Sequence, residues 1–371
     1  MDFMFTDEQQ MLRDGVSRYL ANDYDFDARR ALVQSDQAWS PDVWQQFAEF
    51  GLLALPFAES QGGLGGSIAD IVAVSELFGE YLVVEPYLGS ILLSGRALAA
   101  TQSDSVGDRL SRIISGETIA AFAHEEGRGT ADVSAIQLSL EADGDAFTLT
   151  GEKRLVLNGA QADLLIVSVR LPGADRAIGL ALVDPGAPGV SVSAIDTIDG
   201  RSAAHISFDS VPVSASDILK DVDIGEILAT AIIALSAEAV GAMGALLSRT
   251  SEYAATRTQF DVPIGSFQAV AHRLADMKIA YTKARSTLLY TTALAESGQV
   301  TPRDISVLKG QMGKLGRAIG EAAIQTHGGV GMTDELSIGH YHKRLLAIDA
   351  MFGNSDYHLR RVGQGDVVSA A

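Results

Sequence analysis

From about Thr118 to Val213 the apolar residues recur at every second position, and on both sides of that stretch they recur at helical spacing. Period two belongs to a pleated strand and period 3.6 to a helix, so a chain whose period changes twice cannot fold as one layer of one type. In the middle stretch Ile136, Leu138 and Leu140 alternate with polar residues, Asp143-Gly144 follows, and Phe147 and Leu149 resume the alternation, which predicts a hairpin. Leu164 to Val169 and Ile178 to Val183 read as buried strands, the second stopped by Asp184-Pro185-Gly186 and Pro188-Gly189. Ile206-Ser207-Phe208 and Val211-Pro212-Val213 close this all-β part. The expected architecture is α+β in three parts: residues 1–117 helical, 118–222 β, and 223–371 helical with longer helices.

In the first part Thr6-Asp7-Glu8-Gln9 is a helix start, with Met11, Leu12, Val16 and Leu20 on one face. Asp42 to Phe47 begins a short helix, and Ile68 to Leu82 and Leu88 to Leu98 are two more, separated by Glu85-Pro86. Between them, Gln61-Gly62-Gly63-Leu64-Gly65-Gly66-Ser67 lacks the Gly-Lys-Ser/Thr of a phosphate loop and reads as a turn that lets two helices pack. In the last part Thr301-Pro302 starts a helix whose inner face is Leu308, Met312, Leu315 and Ile319.

A net charge of −19 argues against nucleic acid or an anionic membrane surface as partner. The 371 residues include no cysteine, which excludes disulfides, thiolate catalysis and Cys-ligated metal. His340, His342 and His358 lack ligand spacing with any acidic cluster, so no metal site is expected. The N-terminus does not read as a signal peptide and no apolar run reads as a membrane span, which favours the cytoplasm.

The densest local chemistry lies between Tyr253 and Met277. A helix ends near Arg257, a loop carries Asp261, Pro263 and Gly265, and a second helix is expected from Ser266. Phe267, Val270, Leu274, Met277 and Tyr281 mark one face of that helix. Arg257, Phe260 and Gln268 put a cation, an aromatic ring and an amide at one end of a helix pair, which suits a planar anionic ligand, although taken alone a plain helix hairpin with a surface arginine is the better reading.

Arg257-Thr258-Gln259-Phe260 followed by Gln268 resembles the Arg-x-x-Phe-Gly…Gln segment of acyl-CoA dehydrogenases. Gln325-Thr326-His327-Gly328-Gly329-Val330-Gly331 resembles that family's Gln-x-x-Gly-Gly-x-Gly segment, at matching distance. The resemblance extends over essentially the whole chain and is strongest to the small subunits of heteromeric members, the pimeloyl-CoA dehydrogenase type and its steroid-side-chain relatives. It implies a middle β-barrel or sandwich, a C-terminal four-helix bundle, and FAD as cofactor. It implies further that Arg257, Phe260, Gln268, Gln325, Gly328, Gly329 and Gly331 reach the adenosine diphosphate half of a neighbour's FAD. One departure is Asp261, where the family has Gly.

Other departures fall on the reaction itself. Dehydrogenation of an acyl thioester needs a base for the α-proton and a flavin to take the β-hydride. The resemblance puts the base at one of two positions, read here as Phe352 and as Ala231, the latter beside Ile232. The segment expected to contact flavin and substrate reads His124-Glu125-Glu126-Gly127-Arg128-Gly129-Thr130-Ala131-Asp132. The family's Trp-Ile-Thr beside the flavin ring reads Leu155-Val156-Leu157, without indole or hydroxyl.

Glu238, on an otherwise apolar helix two turns after Ala231, is either a displaced base or one half of an ion pair with a facing helix. Asp349 is a weaker candidate, and His327 either touches a phosphate or caps its own helix. The reading is a subunit of an FAD-dependent acyl-CoA dehydrogenase, in an α2β2 heterotetramer, that completes a related subunit's FAD site. Acyl-CoA is the substrate and electron-transfer flavoprotein the acceptor. A complete homomeric dehydrogenase or oxidase using Glu238, and a flavin-free stabilising subunit, are the alternatives.

Overall fold

The computed structural model describes residues 5–35, 37–101, 104–127, 132–143, 146–173 and 177–368. The first helices are α1 (Asp7–Asp23), α2 (Phe26–Val33), α3 (Pro41–Glu49) and α4 (Ile68–Glu80). Tyr87–Gly95 is a nine-residue π-helix with every residue buried, followed by α5 (Arg96–Ala99) and α6 (Asp104–Ile114). The strands are β1 (Ala120–Ala123), β2 (Leu140–Asp143), β3 (Ala146–Leu157), β4 (Leu164–Arg170), β5 (Ile178–Val183), β6 (Val190–Asp196), β7 (Ser202–Val213) and β8 (Ile218–Leu219). Helix α7 (Ile224–Thr256) leads through β9 (Thr258–Gln259) and β10 (Val262–Pro263) to α8 (Gln268–Glu296), α9 (Pro302–His327), α10 (Ser337–Ala350) and α11 (Ser355–Val368).

Two compact units emerge, one of residues 31–67 and 84–231, the other of 1–30, 68–83 and 232–371. The first contains two four-stranded sheets, ordered β1-β4-β5-β8 and β2-β3-β7-β6. All residues of β4 up to Val169 are buried, and Leu165, Val167, Val169, Ile206, Phe208 and Val211 share one core. Strands β2 and β3 pair antiparallel as the hairpin signal predicts, although Gly144 lies outside the described residues. So do Arg128 to Ala131 and Met1 to Met4.

Sequence reading missed the irregular pairing of β3 with β7, whose register shifts between Leu149 and Gly151 and again between Lys153 and Val156. Such bulges bend a strand and re-aim its side chains. In the same unit the glycine-rich run is a tight turn rather than a flexible one. The N–H groups of Gly62, Gly63, Leu64, Gly65 and Gly66 donate to the carbonyls of Glu59, Ala58, Ala54, Phe57 and Leu55. None of those amides remains to cradle a phosphate.

The second unit is helical. Capping boxes start α1 at Thr6/Gln9 and α9 at Thr301/Asp304. Helices α4 and α7 cross with their backbones in contact: a Cβ on Gly79 would lie 1.8 Å from the Glu238 carbonyl oxygen, and one on Gly241 would lie 1.9 Å from that of Glu76. By length and composition α7 could cross a membrane, but 78% of its apolar window is buried in protein. That corrects the expectation that no run qualifies.

Helix α8 also differs from expectation. It starts at Gln268 after a 3-10 turn, and Ser266 caps nothing, its hydroxyl donating instead to the Pro263 carbonyl. Of the face read from the sequence Met277 is buried, whereas Phe267 is 38% exposed and Val270, Leu274 and Tyr281 are half-buried.

Candidate functional site

The residues singled out between Tyr253 and Gly331 gather at one end of the helical unit. The Arg257 amide closes α7 by donating to the Tyr253 carbonyl, and its carbonyl accepts from Ile264 across a two-residue hairpin. The register is Gln259 with Val262 and Thr258 with Pro263, leaving Phe260 and Asp261 as the turn. Both have positive φ, 54° and 65°, as a mirror-image turn requires. Phenylalanine is a poor residue for that backbone, at about 1–2 kcal/mol, and its ring is 88% exposed.

The ends of α7 and α9 meet where Tyr253 stacks on His327, centroids 4.3 Å apart. The His327 ring folds back to bond the Ala323 carbonyl at 2.9 Å, so it caps its own helix. Gly328 has φ 66° and ψ −143°, a conformation essentially reserved for glycine. A Cβ on Gly328 or Gly329 would meet nothing within 4 Å, so this backbone is open to an approaching group. Arg257, Gln268 and Gln325 are exposed, and among the described residues their side chains make no ion pair or hydrogen bond. A guanidinium, two amides, an open glycine backbone and an exposed ring fit the adenosine diphosphate half of FAD.

The segments at which the resemblance expects the flavin ring differ. Leu155, at φ 50°, and Leu157 are half-buried and Val156 is buried, and none can donate a side-chain hydrogen bond. Nearby, the buried Lys153 ammonium donates to the His124 carbonyl at 3.1 Å, to Glu126 Oε1 at 2.7 Å and to Ser168 Oγ at 3.0 Å. Burial pushes Lys153 down to about 8, opposed by Glu126. Burial would raise the Glu126 carboxyl, but the Lys153 bond and the Gln137 and Leu138 amides outweigh it and hold it below the usual range. Glu126 lines a cavity of about 510 Å³ together with Glu125, Asp132 and Glu152. Among its described lining residues that cavity carries more acidic than basic side chains, with Glu126 paired to the Lys153 ammonium.

Neither expected base position holds a proton acceptor. Phe352 is buried at φ 53° in a turn pinned from two helices. Lys309 donates to the carbonyls of Asp349 and Gly353, each at 2.9 Å, and His358 Nε2 donates to that of Phe352 at 2.9 Å. Ala231 is fully buried and Ile232 nearly so. The Glu238 carboxylate takes a bidentate bond from Arg344, Nε at 2.7 Å and Nη2 at 2.8 Å, with both residues buried. Asp349 Oδ1 accepts from the Ser355 amide at 2.8 Å. No group of three His, Cys, Asp or Glu suited to a metal occurs among the described residues.

Lys153, Lys309 and Arg344 were not singled out from sequence. For Lys309 a signal existed, since it sits beside Leu308 on the apolar side of its helix. Two buried histidines give an acid-stability prediction. Burial pushes His124 and His358 down to about 4, with Lys153 adding to the effect on His124. Both stay neutral in the fold while they protonate in the unfolded chain, so stability is complete above about pH 6.5 and falls toward pH 4, by about 3 kcal/mol for each group. Urea midpoints across that window should flatten when both are replaced by glutamine.

Three family models match the chain in succession: the acyl-CoA dehydrogenase N-terminal domain over residues 6–102, the middle domain over 121–211 and the C-terminal domain over 224–365. The chain is 30% identical to acyl-CoA dehydrogenase FadE27 of Mycobacterium tuberculosis over 98% of both chains. This chain belongs to the acyl-CoA dehydrogenase family. The family comprises FAD-dependent oxidoreductases that dehydrogenate acyl-CoA. Among solved structures, the ChsE4-ChsE5 complex of M. tuberculosis superimposes with TM-score 0.89 at 28% identity, covering 98% of each chain. The Tcur3481-Tcur3483 steroid acyl-CoA dehydrogenase variant superimposes with TM-score 0.89 at 27% identity, covering 98% of this chain and 99% of that one. Within an acyl-CoA dehydrogenase fold, then, Arg257, Gln268 and Gln325 are exposed with no side-chain partner among the described residues, Phe260 packs only on Phe267, and Gly331, expected at the same site, is buried, while Phe352 and Ala231 at the expected base positions are apolar and buried.

Proposed function

We propose that this acyl-CoA dehydrogenase chain is one half of a heteromer: it closes the adenosine diphosphate end of an FAD whose ring, base and thioester site belong to a related partner subunit. FAD, when bound, takes the β-hydride of the acyl-CoA. This chain's Arg257 neutralises the pyrophosphate, and Gln268, Gln325 and the Gly328–Gly329 backbone fix its position.

The observation that carries the reading is the contrast between an Arg257 that is exposed and unpaired among the described residues and a buried Phe352 at a base position. The surface supports it. Helix α8 runs 29 residues, and its buried residues are Met277, Ala284, Leu288, Thr291 and Thr292. Ile279 and Tyr290 on it, and Phe260 and Met332 elsewhere in the same unit, are all more than half exposed. Apolar exposure on that scale suits a protein partner. Similarity to the ChsE4-ChsE5 complex supports a related chain as that partner. The assembly is an α2β2 heterotetramer in the cytoplasm with one FAD per pair of chains. It converts a bulky or dicarboxylic acyl-CoA to the trans-2-enoyl-CoA and passes electrons to an electron-transfer flavoprotein.

The test is flavin content of the chain alone and of the pair. The chain alone should be colourless, and the pair should carry one FAD per two chains. Arg257→Ala in the pair should weaken FAD binding about tenfold or more, as loss of a charge-assisted bond does. A chain that is yellow by itself, with one FAD each and bleached by an acyl-CoA, would sink the proposal.

A further inference from the structure

The tip of the Thr258–Pro263 hairpin combines two features that bring the free chain no benefit. Phe260 holds a left-handed backbone and is 88% exposed, its ring touching Phe267 edge-on at 6.2 Å. Asp261 holds φ 65°, is exposed, and makes no hydrogen bond or ion pair among the described residues. Strain and apolar exposure at one rigid turn mark a surface shaped for something else. The turn tolerates aspartate, since Asp reaches positive φ more readily than most residues, but glycine suits it better. The carboxylate is therefore not there for the turn.

We infer that Asp261 is the residue with which this chain reads the adenosine ribose of the partner-held FAD, its carboxylate accepting hydrogen bonds from the vicinal 2′- and 3′-hydroxyls. This rests on the shared-site reading above. An ionised carboxylate only accepts, so it needs donors. Four residues away Arg257 supplies the attraction for the pyrophosphate, and a carboxylate aimed at the same phosphates would oppose it. The ribose is the neutral neighbour of those phosphates and offers two O–H donors on adjacent carbons. Acidic side chains bind ribose hydroxyls in this way in dinucleotide sites of other folds. Phe260, beside it, supplies a flat apolar surface for the rest of the nucleoside.

The test uses the purified pair of chains stripped of flavin. FAD is titrated by fluorescence quenching, and ADP, 2′-deoxy-ADP and 3′-deoxy-ADP compete for the site. The wild-type pair should prefer ADP over either deoxy form by about tenfold, the worth of one charge-assisted bond. Asp261→Gly, which keeps the turn, should weaken FAD and ADP by a similar factor and bring the three competitors level. Unchanged or tighter FAD binding in that variant overturns the inference, as does discrimination that survives the substitution. Weaker association of the two chains by sedimentation, with discrimination intact, also overturns it and assigns the carboxylate to a cation on the partner. Arg257→Ala separates the two claims. It should weaken FAD with ribose discrimination intact, and if it changes nothing the shared site itself fails.

Discussion

Replacing Gly241 by alanine should destabilise the fold by about 3 kcal/mol or more, near or above the top of the usual range for one added methyl in a packed region. The new Cβ would sit 1.9 Å from the Glu76 carbonyl oxygen, 2.8 Å from its carbon and 3.0 Å from the Glu80 nitrogen. All three are backbone atoms of α4, so no side chain can swing away, and the helices must part. Gly79 presents the same problem from the other side, its Cβ position lying 1.8 Å from the Glu238 carbonyl oxygen. The control is Gly15→Ala on α1, where a Cβ meets nothing within 4 Å. There the same change should stabilise by up to about 1 kcal/mol, because alanine is the better helix former. Guanidinium midpoints of the two variants should move in opposite directions, and equal midpoints would mean that the crossing is not rigid.

Arg344→Met should cost about 3–5 kcal/mol, because it leaves the Glu238 carboxylate buried without its counter-charge. The Arg344 side chain is 1% exposed and that of Glu238 8%, so water cannot replace the guanidinium. Glu238→Gln alone should also destabilise, because it removes the charge with which the Arg344 guanidinium makes its bidentate pair. The double variant Glu238→Leu/Arg344→Met should recover most of the loss, since replacing a buried ion pair by well-packed hydrophobic groups of similar volume is often close to neutral. Its stability is read from thermal melts, and it also addresses the chemistry. If the double variant, assembled with the partner, turns over acyl-CoA at the wild-type rate, Glu238 is not the base. If turnover vanishes while the fold and flavin remain, the shared-site reading gives way to a self-contained enzyme.

The order helix, sheet, helix was legible because period and turn chemistry are local. Thr6 and Thr301 begin their helices through side chains three residues away, and β5 runs over the residues read as a strand. Arg257, Phe260, Gln268, Gln325 and the Gly328–Gly331 run stood out in the sequence as a group because two short motifs hold them, and the helix ends that carry those motifs meet at the Tyr253–His327 stack. What stayed hidden was long-range or irregular. Lys153 falls in a stretch of alternating polarity and reads as a surface residue, yet a register shift in β3 accompanies its burial beneath Ser168 and Glu126. Glu238 and Arg344 are 106 residues apart, and no spacing rule joins them. The Ser266 start failed because the backbone there tightens into a 3-10 turn before α8 begins.

Helix α8 has one further consequence, for how much of this protein a cell keeps. With five of its 29 residues buried, α8 should open locally more readily than α7, and its amides should exchange ahead of those of α7. Under the proposed pairing, a copy synthesised in excess of its partner would offer proteases that helix and a paired copy would not, so surplus subunits would be removed without a dedicated sensor and the ratio of the two chains would correct itself through their unequal lifetimes.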